Sequence, residues 1–121
     1  MTTEPQIDPT VVYAAAPGLI AEMCWVTEQA RERRFGTEPG REFWLRKAAL
    51  LDRIAIQEST TYSADVAADA VAVAGAAALR LAEYDAGHSG VSLRGLELAT
   101  GDDCRLYVRE QYREWNRTQP H

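Results

Sequence analysis

The sequence predicts an all-α domain, a small four-helix bundle-like fold with an Ala-rich central helix. Three observations carry this. Apolar residues recur every three to four positions through most of the chain, the period of a helix face. No run alternates apolar and polar residues long enough to make a strand. Breaks at Pro17-Gly18, Thr37 to Gly40, Ser59 to Tyr62 and Gly87 divide the chain into helix-sized pieces.

Taken in order, residues 1–9 read as a tail, 10–118 as one helical domain and 119–121 as a frayed end. Thr10 to Ala16 can form one helical turn. The first long helix is expected from Pro17, tolerated in a first turn, to Phe35, with Gly36 as its C-cap. Leu19, Ile20, Met23, Val26, Thr27 and Ala30 share one face and predict its core stripe. Trp25 lies nearly opposite. The second helix spans Arg41 to Glu58, with Trp44, Ala48, Leu51 and Ala55 inward, broadened by Phe43, Leu50 and Ile54. Glu42 and Arg46 are four apart, acid first, a stabilising order.

Ser63 is an N-cap for the third helix, which is expected to stop near Tyr84 or Asp85 before Gly87. Between Val66 and Ala82 it carries only Asp69 and Arg80 as charges, so burial nearly all round is expected. A membrane span over 64–82 is rejected, because alanine contributes little transfer energy and both charges would enter the hydrocarbon. Leu93, Leu96 and Leu98 suggest a short helix or packed loop. The fourth long helix runs from Asp102 to Arg117, with Cys104, Val108, Tyr112 and Trp115 as its stripe.

The chain has 121 residues, 46% hydrophobic and 26% charged, with a net charge of -5, a globular composition. No signal-peptide pattern is recognisable, and Cys24 and Cys104 make no disulfide framework. Both thiols are expected to be buried and inert. Twelve arginines stand against one lysine, Lys47, beside 20 alanines. That bias suits GC-rich coding sequence and a bacterial, cytoplasmic protein.

The search for chemistry yields no catalytic residue, no metal site and no cofactor. His88 and His121 have no ligand partners at motif spacing. Gly87-His88-Ser89-Gly90 lacks the strand and the second glycine of a nucleophile elbow. No glycine pattern cradles phosphate. Asp65 and Asp69 read as a solvated face.

Binding features are more informative. Arg105, Arg109, Arg113 and Arg117 form a ladder. Pairs Asp102–Arg105, Glu110–Arg113 and Glu114–Arg117 predict a solvated ion-pair face, and the alternative is a grip on an acidic partner. Residues 31–53 carry net +3 and residues 54–104 net -6. Trp25, off its stripe, is a candidate interface anchor.

The run PGREFWLRKAALLDRIA resembles short helical proteins of unknown function from GC-rich actinobacteria, over residues 41–82. The resemblance implies an all-α fold and an actinobacterial or actinophage source, and transfers no activity.

The resulting expectation is a non-catalytic interaction protein: an adaptor, regulator or homo-oligomer. Its partner-binding residues are expected to be Trp25, Tyr107, Arg109 and Arg113. A protein partner or self-association is expected, and no membrane. The alternatives are an accessory small subunit of a heteromeric enzyme, and a nucleic-acid-linked regulator docking through residues 31–53 with Arg46, Lys47 and Arg53.

Overall fold

The structure, a computed structural model, describes residues 8–33, 36–89 and 100–119. Five α-helices make up these residues and none of them is in a strand: α1 (Pro9–Val12), α2 (Leu19–Glu32), α3 (Arg41–Thr61), α4 (Ala64–Ser89) and α5 (Gly101–Arg117). No helix among them is long and apolar enough to cross a membrane.

Local chemistry sets most boundaries. The Asp8 carboxylate accepts from the Thr10 amide and caps α1, with Pro9 in its first turn. Gly18 and Gly40 precede α2 and α3 without side-chain caps. The α2 helix stops at Glu32, short of the predicted Phe35, which lies outside the described residues. Gly36 does adopt a positive φ of 83°, but in the turn beyond the helix rather than as its cap. Thr100 caps α5 through a capping box with Asp103, two residues before the predicted start.

The α3 helix is the hub, packing against α2, α4 and α5. It buries Phe43, Leu45, Ala48, Ala49, Leu50, Asp52 and Ala55. This corrects the prediction of an Ala-rich central helix. The Ala-rich segment is α4, and it is buried along one side only, at Ala67, Ala74, Ala78, Leu81 and Ala82. Val66, Val73 and Leu79 face solvent. Burial stabilises in proportion to apolar area, roughly 25 cal/mol per Å². Alanine offers little of it, so α4 gains less from being surrounded than leucine-bearing α3. Trp44 and Leu51, predicted inward on α3, are half-buried, and Leu45 and Asp52 take the inward places.

The α4 helix also outruns its prediction, continuing through Gly87 to Ser89. Its last turns are held from outside by Arg41 and Tyr107, which grip Asp85, and within the helix by His88 stacking on Tyr84 at 3.9 Å. Those contacts offset the glycine's helix cost of about 1 kcal/mol.

Contacts fix the topology. Gly75 meets Gly101, and Asp85 meets Tyr107, so α4 and α5 run in the same direction. The α3 helix is antiparallel to both, with Arg41 near Asp85 and Gln111. The far end of α4 therefore lies roughly 21 Å, at 1.5 Å per residue, from Gly75, beside which α5 begins. The predicted packing of Leu93, Leu96 and Leu98 falls outside the described residues. The core itself joins Leu45, Ala48 and Ala49 of α3 with Ala78, Leu81 and Ala82 of α4 and Cys104, Val108 and Tyr112 of α5, closed by Val12.

Candidate functional site

Three carboxylates on three helices organise the polar interior. Asp52 of α3 is 1% exposed. Its Oδ1 accepts from Arg105 Nε at 2.7 Å and Arg109 Nη2 at 3.0 Å. Its Oδ2 accepts from the Tyr13 hydroxyl at 2.7 Å and Arg109 Nε at 2.8 Å. Four donors fill the acceptor sites of one carboxylate, the condition under which a buried charge is tolerable.

Glu22 of α2 is 2% exposed and takes a two-point clamp from Arg46, Nε to Oε1 at 2.7 Å and Nη2 to Oε2 at 2.9 Å. Arg46 also reaches Glu42 at 3.2 Å, the pair expected from their spacing. Its guanidinium lies 3.6 Å from the centre of the Trp25 ring and 5.5 Å from that of Trp115. A planar cation between an indole face and a carboxylate is a strong arrangement for arginine, unavailable to lysine.

Asp85 of α4 accepts from Arg41 Nε at 2.8 Å and Nη2 at 2.9 Å, and from the Tyr107 hydroxyl at 2.6 Å. Arg41 Nη2 also donates to the Gln111 side-chain oxygen.

The protonation equilibria follow. Burial alone would raise the Asp85 carboxyl, but the hydrogen bonds from Arg41 and Tyr107 outweigh it, and it sits below the usual carboxylate range. Hydrogen bonding to Asp85 raises Arg41 further, and Glu22 does the same for Arg46 against the effect of burial. Burial, then the Asp85 hydrogen bond, pushes the Tyr107 phenol up to about 12. Burial and the nearby Asp52 charge raise Tyr13 further still.

A titration prediction results. Both folded phenols hold their protons above the unfolded tyrosine value near 10, so their stabilising contribution is complete below pH 10. It is lost as pH rises through about 12 for Tyr107. Phenolate absorbance should show a late-ionising class that loses two members in Tyr107→Phe, Tyr13→Phe and keeps Tyr112, which burial also raises. Ionisation of all five tyrosines together near pH 10, with the fold intact, would contradict it.

The sequence-derived site residues land as follows. Trp25 is half-buried beneath Arg46. Tyr107 is half-buried and donates to Asp85. Arg109 is tied to Asp52. Arg113 alone of the four is exposed. The structure does not bring them together as an open surface. Of the residues assigned to nucleic acid, Arg46 is paired twice, and Lys47 lies 5.8–5.9 Å from the rings of Phe43 and Trp44. Arg53 Nη1 is buried with no hydrogen-bond partner, while its guanidinium lies 5.8 Å from the Tyr13 ring.

The arginine ladder needs the same correction. Only Glu114–Arg117 forms as a helix-surface pair, at 3.3 Å. Arg105 and Arg109 turn inward, because a buried carboxylate competes better than a solvated neighbour on the same helix. For this ladder the missed partner is Asp52, as Glu22 is for Arg46. The signal for Asp52 was a lone acid on the Ala48–Asp52–Ala55 ridge, at helical spacing within an apolar stripe.

The α2 helix departs most from expectation. Its stripe is not its buried face. Ile20 is 78% exposed and Met23 46%, and Thr27 and Ala30 are also exposed. Only Leu19 and Val26, at the stripe's edge, turn partly inward beside Glu22 and Trp25. The Glu22–Arg46 clamp sets this rotation. Cys24, expected to be buried, is exposed on the outward side, whereas Cys104 is buried and its thiol raised by burial.

The surface of the described residues includes two concavities beside α4. A groove of about 470 Å³ runs between α4 and the start of α5, lined by Ala72, Gly75, Ala76 and Leu79 and by Thr100 and Gly101. A smaller polar one of about 260 Å³ includes Trp44, Arg80, Glu83 and His88. His88 Nδ1 lies 2.8 Å from the Tyr84 carbonyl oxygen, a contact that requires the proton on Nδ1. No group of three or more His, Cys, Asp or Glu that could hold a metal occurs among the described residues. Comparison with protein families, curated proteins and solved structures gives no match to this chain.

Proposed function

We propose that this chain is a non-catalytic, cytoplasmic interaction protein, a small bundle-like domain that presents α2 to a protein partner. One observation carries the reading: the apolar stripe of α2 faces outward while the helix is anchored from behind by an ion pair. Ile20 and Met23 are exposed on it, with Cys24, Thr27 and Ala30 completing the strip. A rigid helix with an apolar ridge is the form in which helix-in-groove recognition is delivered, read as anchors at i, i+3 and i+7.

The polar clusters support the same reading by their closure. Asp52, Glu22 and Asp85 have their oxygens occupied by arginines and tyrosines of this chain. Such clamps hold helices in place. The contact set therefore moves from Trp25, Tyr107 and Arg109, which are engaged internally, to Ile20, Met23 and Thr27, with Trp25 as a support for Arg46.

The test is affinity capture from the source cell with wild type and Ile20→Glu. Ile20 is at the surface, so the variant should keep its helical circular dichroism. A stoichiometric partner captured by wild type should fall at least tenfold with the variant, a loss of about 1.4 kcal/mol. Equal capture by both proteins would refute the role of α2.

A further inference from the structure

The groove between α4 and α5 matches the outward ridge of α2 on the same chain. We infer that the partner of α2 is a second copy of this protein, whose α4–α5 groove receives it head to tail. This rests on the proposed role of α2 as the presenting helix and names what it binds.

Shape is the first argument. The α2 ridge carries the large side chains Ile20 and Met23. The groove floor is small: Ala72, Gly75 and Ala76, with Leu79 at one end. A floor of small residues lets a second helix approach closely. Ala72, Ala76 and Leu79 are exposed, so nothing within the described residues covers them.

Charge is the second, and it fixes direction. The same α4 ridge begins with exposed Asp65 and Asp69, and exposed Asp102 lines the groove at the start of α5. The α2 ridge ends with exposed Arg31, followed by exposed Arg33. Acid at the start of α4 and base at the end of α2 require an antiparallel approach. Arg31 then meets Asp69, Thr27 meets Ala72, Cys24 meets Ala76 and Ile20 meets Leu79, with Ala72, Ala76 and Leu79 all lining the groove. Cys24 to Arg31 and Asp69 to Ala76 both span seven steps, roughly 10 Å of helix. Glu28 and Glu32 lie off the ridge by about 75° or more at 100° per residue. Antiparallel helices also oppose their dipoles. A head-to-tail contact uses two different surfaces, so it closes into a ring or extends, instead of stopping at a two-fold dimer on α2 alone.

Cys24 makes the contact directly testable, because it is exposed on the ridge and the other cysteine, Cys104, is buried. The experiment compares full-length wild type with Ala76→Cys, each treated at high micromolar concentration with a short bismaleimide and run on a denaturing gel. The expected result is covalent dimers and higher species for Ala76→Cys, and none for wild type. Cross-linked wild type would place two Cys24 side chains together and overturn the inference in favour of an α2–α2 contact. Uncrosslinked Ala76→Cys, with light scattering giving a monomer for wild type, would also overturn it. That includes the case in which residues 90–99 already fill the groove.

A charge-exchange pair guards against a local fault at position 76. Arg31→Asp and Asp69→Arg should each weaken self-association about threefold, as for an exposed ion pair, and an equimolar mixture should recover it. No recovery on mixing overturns the inference. The cellular capture with Ile20→Glu is scored separately. A monomeric protein that still captures a different partner through α2 removes this inference and leaves the proposed function standing.

Discussion

Replacing Asp52 with alanine should cost about 3–5 kcal/mol, the penalty for breaking a buried ion cluster by removing one partner. Its four donors come from Tyr13, Arg105 and Arg109. Removing the carboxylate strands two guanidinium groups, 12% and 13% exposed, at the α3–α5 contact. A domain of this size has only about 5–15 kcal/mol of total stability, so Asp52→Ala should bring the protein to the edge of unfolding. Chemical denaturation followed by circular dichroism reads the loss directly. The triple variant Asp52→Ala, Arg105→Met, Arg109→Met should regain most of it, because apolar replacement of a buried ion cluster is often neutral or better. A change below 1 kcal/mol in Asp52→Ala would show that the cluster is better hydrated than its geometry indicates.

Replacing Glu22 with alanine should cost about 3 kcal/mol by the same mechanism, but its effect should be local. The α2 helix packs mainly on α3, and its inward side consists of Glu22 with half-buried Leu19, Trp25 and Val26. Without the clamp, little apolar area holds it. Amide exchange should then accelerate through Leu19–Glu32 while α3, α4 and α5 keep their protection. Uniform acceleration across all helices would instead make the Glu22–Arg46 pair part of the global core. The two variants separate a clamp that closes the domain from one that attaches a single helix.

Much of the architecture was legible from the chain. The apolar stripe of α5 predicted the burial of Cys104, Val108 and Tyr112, and a division between α3 and α4 was expected in the right region, although α3 runs three residues past its predicted end at Glu58, to Thr61. The capping box at Thr100 and Asp103 was there to be read and would have given the start of α5. What periodicity could not supply was orientation where a buried charge competes with an apolar stripe. On α2 the hydrophobic pattern points one way and Glu22 the other. The outcome depends on Arg46, 24 residues away. The ladder on α5 was misread for the same reason. Its local acids are close in sequence, but Asp52 is buried, and dehydration strengthens its attraction for arginine. Long-range pairing of this kind leaves no trace in the wheel of a single helix.

The alanine repeat of α4 has one further consequence. Ala74, Ala78 and Ala82 present almost the same small surface at successive turns, and Ala67 repeats it two turns earlier. Sliding such a helix against its neighbours by one turn, about 5.4 Å, would exchange one alanine for another at little cost in packing. Asp85 removes that degeneracy. Only one setting of α4 places its carboxylate within reach of Arg41 on α3 and Tyr107 on α5 together. A slipped helix would leave the acid and its cations apart in a half-buried site. Packing supplies cohesion here, and a single charged residue acts as the vernier that chooses one position along the axis.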